Sequence, residues 1–166
     1  MNLDEWIQQR GVHVWAERQG LLIVDLGGAH GSPPYAPWLI VDRAPGAHVQ
    51  ADVFDWLAST PDNAVGLVRA VDFLEHIPDK IRLMNELFRV LAPDGVVATL
   101  TPSTDGKGAF CDPTHVSFWN DLSFRYYCDD DYRKYVPEVT ARFVPILVQT
   151  VQRDELPYVV AILTKA

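Results

Sequence analysis

Leu21-Leu-Ile-Val-Asp-Leu-Gly-Gly-Ala-His-Gly31 decides the fold. Its first six residues form a strand-length apolar run broken only by Asp25, and small residues follow at once. A continuous run, unlike an alternating one, describes a strand covered on both faces, an arrangement of parallel sheets with helices on either side. Glycines directly after such a strand let backbone N–H groups approach a ligand more closely than side chains allow.

Working outward, Trp38-Leu-Ile-Val41 repeats the signature, as do Ala64–Val71 and Gly95–Leu100, both rich in β-branched residues and bounded by turn residues. Between the last two, Ile81, Met84, Leu87, Phe88 and Leu91 mark the apolar face of a helix from Asp79 to Leu91. Pro93-Asp94-Gly95 reads as the turn from that helix into the next strand, closing a right-handed crossover. A short helix is expected at 3–10, a loop from Pro102 to Asn120, and a late hairpin from strands at 142–151 and 157–164. No repeat or linker divides the chain, so residues 1–166 read as one domain. The expected class is α/β: a doubly wound, mostly parallel sheet of about five strands with an antiparallel C-terminal hairpin.

The first two crossovers are short. Only Gly27 to Pro37 separates the first two strands, with prolines at 33, 34 and 37, close to the minimum for a crossover. Arg43 to Gln50 offers too little chain for a full helix. The first helix is therefore expected to be missing or reduced, leaving one sheet face thinly covered, with apolar surface that dimerisation or a partner subunit could cover.

A net charge of −8 disfavours nucleic acid as a partner, because phosphate-backbone affinity needs clustered Lys and Arg. No apolar run is long enough to span a bilayer. Met1-Asn-Leu-Asp-Glu-Trp6 does not read as a secretion signal, and Cys111 and Cys128 form neither a CxxC pair nor a disulfide framework. A cytoplasmic protein with a small-molecule or protein partner is expected.

Asp42, ending the second strand, stands where a carboxylate can accept hydrogen bonds from both hydroxyls of a ribose. The glycine turn is not GxGxxG, so phosphate binding is not its natural use. The order of Val24–Gly31, Val41-Asp42, Asp52, Phe73-Leu-Glu-His-Ile-Pro-Asp79 and Leu87-Phe-Arg-Val-Leu-Ala-Pro-Asp-Gly95 resembles class I S-adenosylmethionine-dependent methyltransferases. Gly108-Ala-Phe-Cys-Asp-Pro-Thr-His-Val116 adds a second point of similarity, to a type 11-like subgroup with a GAFxDPTHV loop. The resemblance implies S-adenosylmethionine as cofactor and transfer of its methyl group to a small-molecule or macromolecular acceptor, a small-molecule acceptor being the first expectation. It would put Asp25, Gly27 and Gly28 at the methionine end, Asp42 on the ribose and Asp52 at the adenine amine, with Asp55 in reserve. Ala29 departs from the usual glycine, a methyl group that crowds the site if φ is positive there.

Methyl transfer is an in-line displacement governed by orientation, so no nucleophilic side chain is required. An acceptor hydroxyl or protonated amine needs a base, for which His115, Asp112 and His76 are the candidates, His115 first. Each has a structural reading: His76 as part of a helix start, Asp112 and His115 as a self-bonded turn. Their spacing matches no recognised ligand pattern, and no metal is expected. The aromatic stretch from Phe110 to Tyr127 suits a substrate lid or a satellite core. Two other functions compete. One is a degenerate methyltransferase fold serving as an inactive binding or regulatory subunit; the other is a dinucleotide-binding oxidoreductase, disfavoured by the missing first helix.

Overall fold

The computed structural model describes residues 2–166. Its strands are β1 (Leu22–Leu26), β2 (Leu39–Asp42), β3 (Val49–Gln50), β4 (Val65–Val71), β5 (Leu91–Pro102), β6 (Val144–Arg153) and β7 (Leu156–Thr164). They form one sheet in the order β3-β2-β1-β4-β5-β7-β6. The first five are mutually parallel, while β7 runs antiparallel to both β5 and β6. The parallel sheet with its C-terminal hairpin is the architecture expected from the apolar runs. Strand order reverses between β1 and β4, which opens a crevice at their carboxyl ends.

Alternate residues of the central strands feed two cores. Val24, Leu26, Val68 and Ala70 pack under α3 (Val53–Ser59) and α4 (Lys80–Val90), together with Trp119, Phe124 and Tyr127. Those three aromatics are thus part of the main core, whereas Phe110 and Phe118 stay exposed and stack on each other with centroids 5.1 Å apart. Ile23, Leu67 and Ala98 face the opposite way.

That opposite face corrects one expectation. The first crossover does hold only a 3-10 turn, Gly28–His30, and no helix lies between β2 and β3. Yet the face is not left bare: α1 (Leu3–Arg10) and α2 (Val12–Arg18) lie on it and bury Leu3, Ile7, Val12 and Ala16. Asn2 caps α1 by accepting the Asp4 N–H at 2.9 Å, and Gly11, at φ +63°, turns the chain into α2. A Cβ on Gly66 would sit 2.6 Å from that of Ala16, so glycine there lets α2 press onto β4.

The Pro93-Asp94-Gly95 turn lies inside β5 rather than before it. Asp94 takes φ +63°, its N–H donates to Lys165 O at 2.7 Å, and the β4–β5 register shifts between Val65↔Leu91 and Leu67↔Val96. Turn residues here make a bulge, which re-aims a strand without ending it.

Candidate active site

The crevice at the carboxyl ends of β1, β2 and β4 has two connected lobes that share Gly27, His30 and Asp72. The first, about 330 Å³, runs past Asp42, Asp52, Val53, Phe73 and His76. The second, about 430 Å³, is walled by Gly28, Gly31, Arg69 and Arg153.

Gly27 holds φ +76°, and a Cβ there would meet the Phe73 ring at 2.8 Å. Glycine is therefore required on both conformational and steric grounds. Ala29 does not share this problem: it sits in the 3-10 turn and is not among the residues with positive φ, so its methyl group is unstrained. Asp42 braces the turn, its Oδ2 accepting the Ala29 N–H at 3.2 Å and its Oδ1 that of Ala44 at 2.9 Å. Each oxygen keeps acceptor capacity toward the cleft.

Asp52 caps α3, accepting the Phe54 N–H at 2.8 Å, and pairs with Arg43, whose Nε lies 3.1 Å away. Burial pushes its carboxyl up, but the Phe54 N–H and the Arg43 guanidinium outweigh this and hold it below the usual carboxylate range. Asp52 lines the cleft whereas Asp55, one turn into α3, does not.

Asp25 is fully buried beneath the turn and is absent from the lining of either lobe. It accepts from Ser32 and from Arg69 Nη1 at 3.0 Å; the other side of that guanidinium is held by Asp4 of α1, at 2.7 Å from Nε. The side chain at the wall of the second lobe is thus Arg69, itself nearly buried, with Asp25 behind it. The available signal was a charged residue inside the otherwise apolar Val65–Val71 strand. Asp72, which lines both lobes and has no sequence signal of its own, adopts φ +49°, a left-handed conformation that aspartate tolerates and that clusters at functional sites, and it pairs with Arg153 at 2.7 Å.

The three candidate bases divide. His76, in the 3-10 turn Leu74–His76 after β4, lines the cleft. The ring of His115 meets it edge-to-face, with centroids 5.1 Å apart. Asp112 is exposed and turned onto its own loop, accepting the Thr114 N–H at 2.8 Å and the Thr114 hydroxyl at 2.6 Å; these bonds hold its carboxyl below the usual range. The loop is clamped to the sheet because Val116 and Ser117 donate backbone N–H groups to Glu75 O at 2.9 and 3.0 Å. Glu75, adjacent to His76, is buried, accepts from Thr101 at 2.5 Å, and has its carboxyl pushed up by burial.

A family model described as a methyltransferase domain matches residues 38–99, from β2 into β5. No curated protein sequence matches the chain. Among solved structures, an S-adenosylmethionine-dependent methyltransferase from Archaeoglobus fulgidus aligns with 94% of this chain and 94% of its own, at 13% identity and a TM-score of 0.62. A Haloferax volcanii methyltransferase, solved with the Trm112 methyltransferase activator, covers 98% and 97% at 12% identity, TM-score 0.59. A Burkholderia thailandensis 1,6-didemethyltoxoflavin-N1-methyltransferase with bound S-adenosylhomocysteine covers 93% and 76% at 17% identity, TM-score 0.54. At these identities the likeness is one of fold: the Rossmann-like fold of the class I methyltransferases, which the motif order resembles.

Proposed function

We propose that this chain binds S-adenosylmethionine along the two-lobed cleft and transfers its methyl group to a small-molecule acceptor arriving beside His76 and His115. One observation carries the reading: the glycine turn, Asp42 and Asp52 lie along one continuous crevice at a topological switch point, in the order that an amino-acid end, a ribose and an adenine would occupy.

The residues fit the cofactor chemically. The cradle at Gly27 has no room for a side chain, which keeps backbone at the ligand surface. Asp42 offers one acceptor oxygen to each ribose hydroxyl, and Asp52, held ionised, can accept from the adenine amine. Val53, Phe73 and Ile77 give the first lobe apolar walls, while the guanidinium groups of Arg69 and Arg153, each already paired with carboxylates, stand at the second, where the cofactor's amino-acid end would sit. S-adenosylmethionine supplies a methyl group on a sulfonium. The chain's part is to hold it in line with the acceptor and to take up the acceptor proton. The ring nitrogens of His76 and His115 are the bases at the edge of the cleft, and Asp112 acts through Thr114 to orient His76.

Calorimetric titration with S-adenosylmethionine and S-adenosylhomocysteine, on wild type and Asp42→Ala, tests the reading. Micromolar binding is expected, falling by about 10- to 100-fold in the variant, since hydrogen bonds to a charged acceptor contribute roughly 1.5–3 kcal/mol. Absence of wild-type binding at millimolar ligand would sink it. Tight binding with no transfer across an acceptor screen would instead mark an inactive subunit.

A further inference from the structure

Glu75 is 2% exposed, and while its Oε2 accepts from Thr101, its Oε1 has no hydrogen-bond partner among the described residues. A buried carboxylate oxygen without a partner is costly and calls for an explanation. Among the described residues it is also the one carboxylate oxygen in the set of buried side-chain atoms without a partner. Two histidines stand beside it: one ligand atom from each of Glu75, His76 and His115 lies within 4.8 Å of the others.

Hydrogen bonding fixes how both imidazoles present themselves. His115 Nδ1 is 3.1 Å from Ala109 O, which can only accept, so Nδ1 carries the proton and Nε2 keeps its lone pair. His76 Nδ1 is 3.2 Å from both Thr114 O and Thr114 Oγ1. The Thr114 hydroxyl has already given its one proton to Asp112, so it too can only accept, and His76 takes the same tautomer. A histidine whose Nδ1–H is tied to a carbonyl, leaving Nε2 free, is the usual supported form of a metal ligand, and a ligating carboxylate is usually hydrogen-bonded in turn, as Thr101 does for Glu75.

We propose that Glu75, His76 and His115 bind a divalent transition-metal ion, of the zinc or cobalt kind, at the wall of the cleft. Two imidazoles and one carboxylate form the donor set of three-ligand sites that keep positions open for water or substrate. Tetrahedral bonds of about 2.1 Å set ligand atoms about 3.4 Å apart, against the 4.8 Å within which one ligand atom from each of the three residues already lies. The absence of a sequence signature follows from the fold: Glu75 and His76 sit after β4, and His115 is brought across by the loop that the Glu75 carbonyl anchors.

The ion's use in catalysis rests on the methyl-transfer reading. An oxygen acceptor bound to it loses its O–H proton to water more readily, because coordination lowers the hydroxyl pKa. That oxygen then forms the O–CH3 bond as the S–CH3 bond breaks, and the sulfonium leaves as a neutral thioether. The same lone pairs serve as bases when no ion is present. Acceptors with a hydroxyl able to chelate, rather than plain amines, are the class this site would take.

Full-length protein stripped with chelator and dialysed should be titrated calorimetrically with Zn2+, and with Co2+ while its visible d–d absorption is followed, all without S-adenosylmethionine. One ion per chain with a micromolar or tighter Kd is expected, with intense Co2+ bands of low coordination number and a raised melting temperature. His115→Ala, on an exposed loop, and the isosteric Glu75→Gln should each weaken binding by more than about tenfold, because losing a ligand costs no less than losing a supporting contact. His48→Ala, outside the cluster, should not. No binding at millimolar metal, or binding that survives both cluster variants, overturns the proposal. S-adenosylmethionine affinity measured in chelator reports separately on the cofactor reading.

Discussion

Replacing Arg69 with Met should destabilise the protein by about 3–5 kcal/mol at neutral pH, the usual cost of removing one partner from a buried ion pair. Arg69 is 7% exposed and Asp25 fully buried, so the variant leaves a carboxylate with no cation and no water. Burial already pushes the Asp25 carboxyl up, with Arg69 pulling it back; without the guanidinium, Asp25 is driven further toward its neutral form. The sign follows from linkage. A carboxyl whose folded pKa lies above its unfolded value binds more protons when folded, so stability falls as pH rises between the two values. The variant's deficit should therefore be greatest at neutral pH and shrink as pH drops toward the raised value. Urea unfolding at several pH values measures it, and a melting-temperature drop of roughly 6–20 °C should accompany it, at about 2–4 °C per kcal/mol for a chain of this size. Adding Asp25→Asn removes the stranded charge and should recover part of the loss. A deficit under about 1 kcal/mol, or a double variant worse than the sum of the singles, would show that the pair is not held as described.

Three further outcomes follow from individual contacts. Gly27→Ala places a methyl group against the Phe73 ring at φ +76°, and should cost about 1–2 kcal/mol in stability while lowering S-adenosylmethionine affinity in calorimetry; unchanged values for both would refute the steric account. Ile7→Ala, at a fully buried position of α1, should cost about 2–5 kcal/mol in urea unfolding, as a core residue does; a loss under about 0.5 kcal/mol, the scale of surface substitutions, would mean α1 does not cover the sheet. In native protein at pH 8, a thiol reagent should modify exposed Cys111 quickly. Cys128, pushed up to about 11 by burial, should react only as the pH climbs toward that value or after unfolding, and equal rates at pH 8 would contradict the structure.

The sheet was legible because its central strands advertise themselves. Leu21–Leu26 and Ala64–Val71 are apolar runs that only a doubly covered strand explains, and the periodicity of Ile81, Met84 and Leu87 left α4 little freedom. β3, two residues long, carries no such signal, and the bulge at Asp94 was read as a strand boundary because turn residues look alike in either place. In the site, Asp42 could be placed from its position at a strand end, since chain direction alone takes it to the crevice, whereas Asp52 followed only from the resemblance, because the short α3 it caps carries no clear signal of its own. Arg69 could not be assigned, because nothing in a sequence says that its partners are Asp4, far earlier in the chain, and Asp25. Glu75 and His115 meet only through the folded 108–119 loop, a long-range contact that spacing does not encode.

The Asp4–Arg69–Asp25 ion pairs show how the chain dispenses with its first crossover helix. In a doubly wound sheet that helix covers the face of β1 and presents its N-terminus to the ligand; here the crossover holds a single 3-10 turn. α1 and α2 supply the missing cover, and Asp4 in the first turn of α1 reaches Arg69, which reaches Asp25 below the glycine turn. Tyr35, from the shortened crossover, donates its hydroxyl to Asp4 at 3.0 Å and ties in the fourth element. Covering helix, glycine turn, crossover and cation of the second lobe are thereby joined through one buried guanidinium. Perturbing Asp4 should register in the cleft as well as in stability, because the residue that α1 holds in place is the one the cleft presents to its ligand.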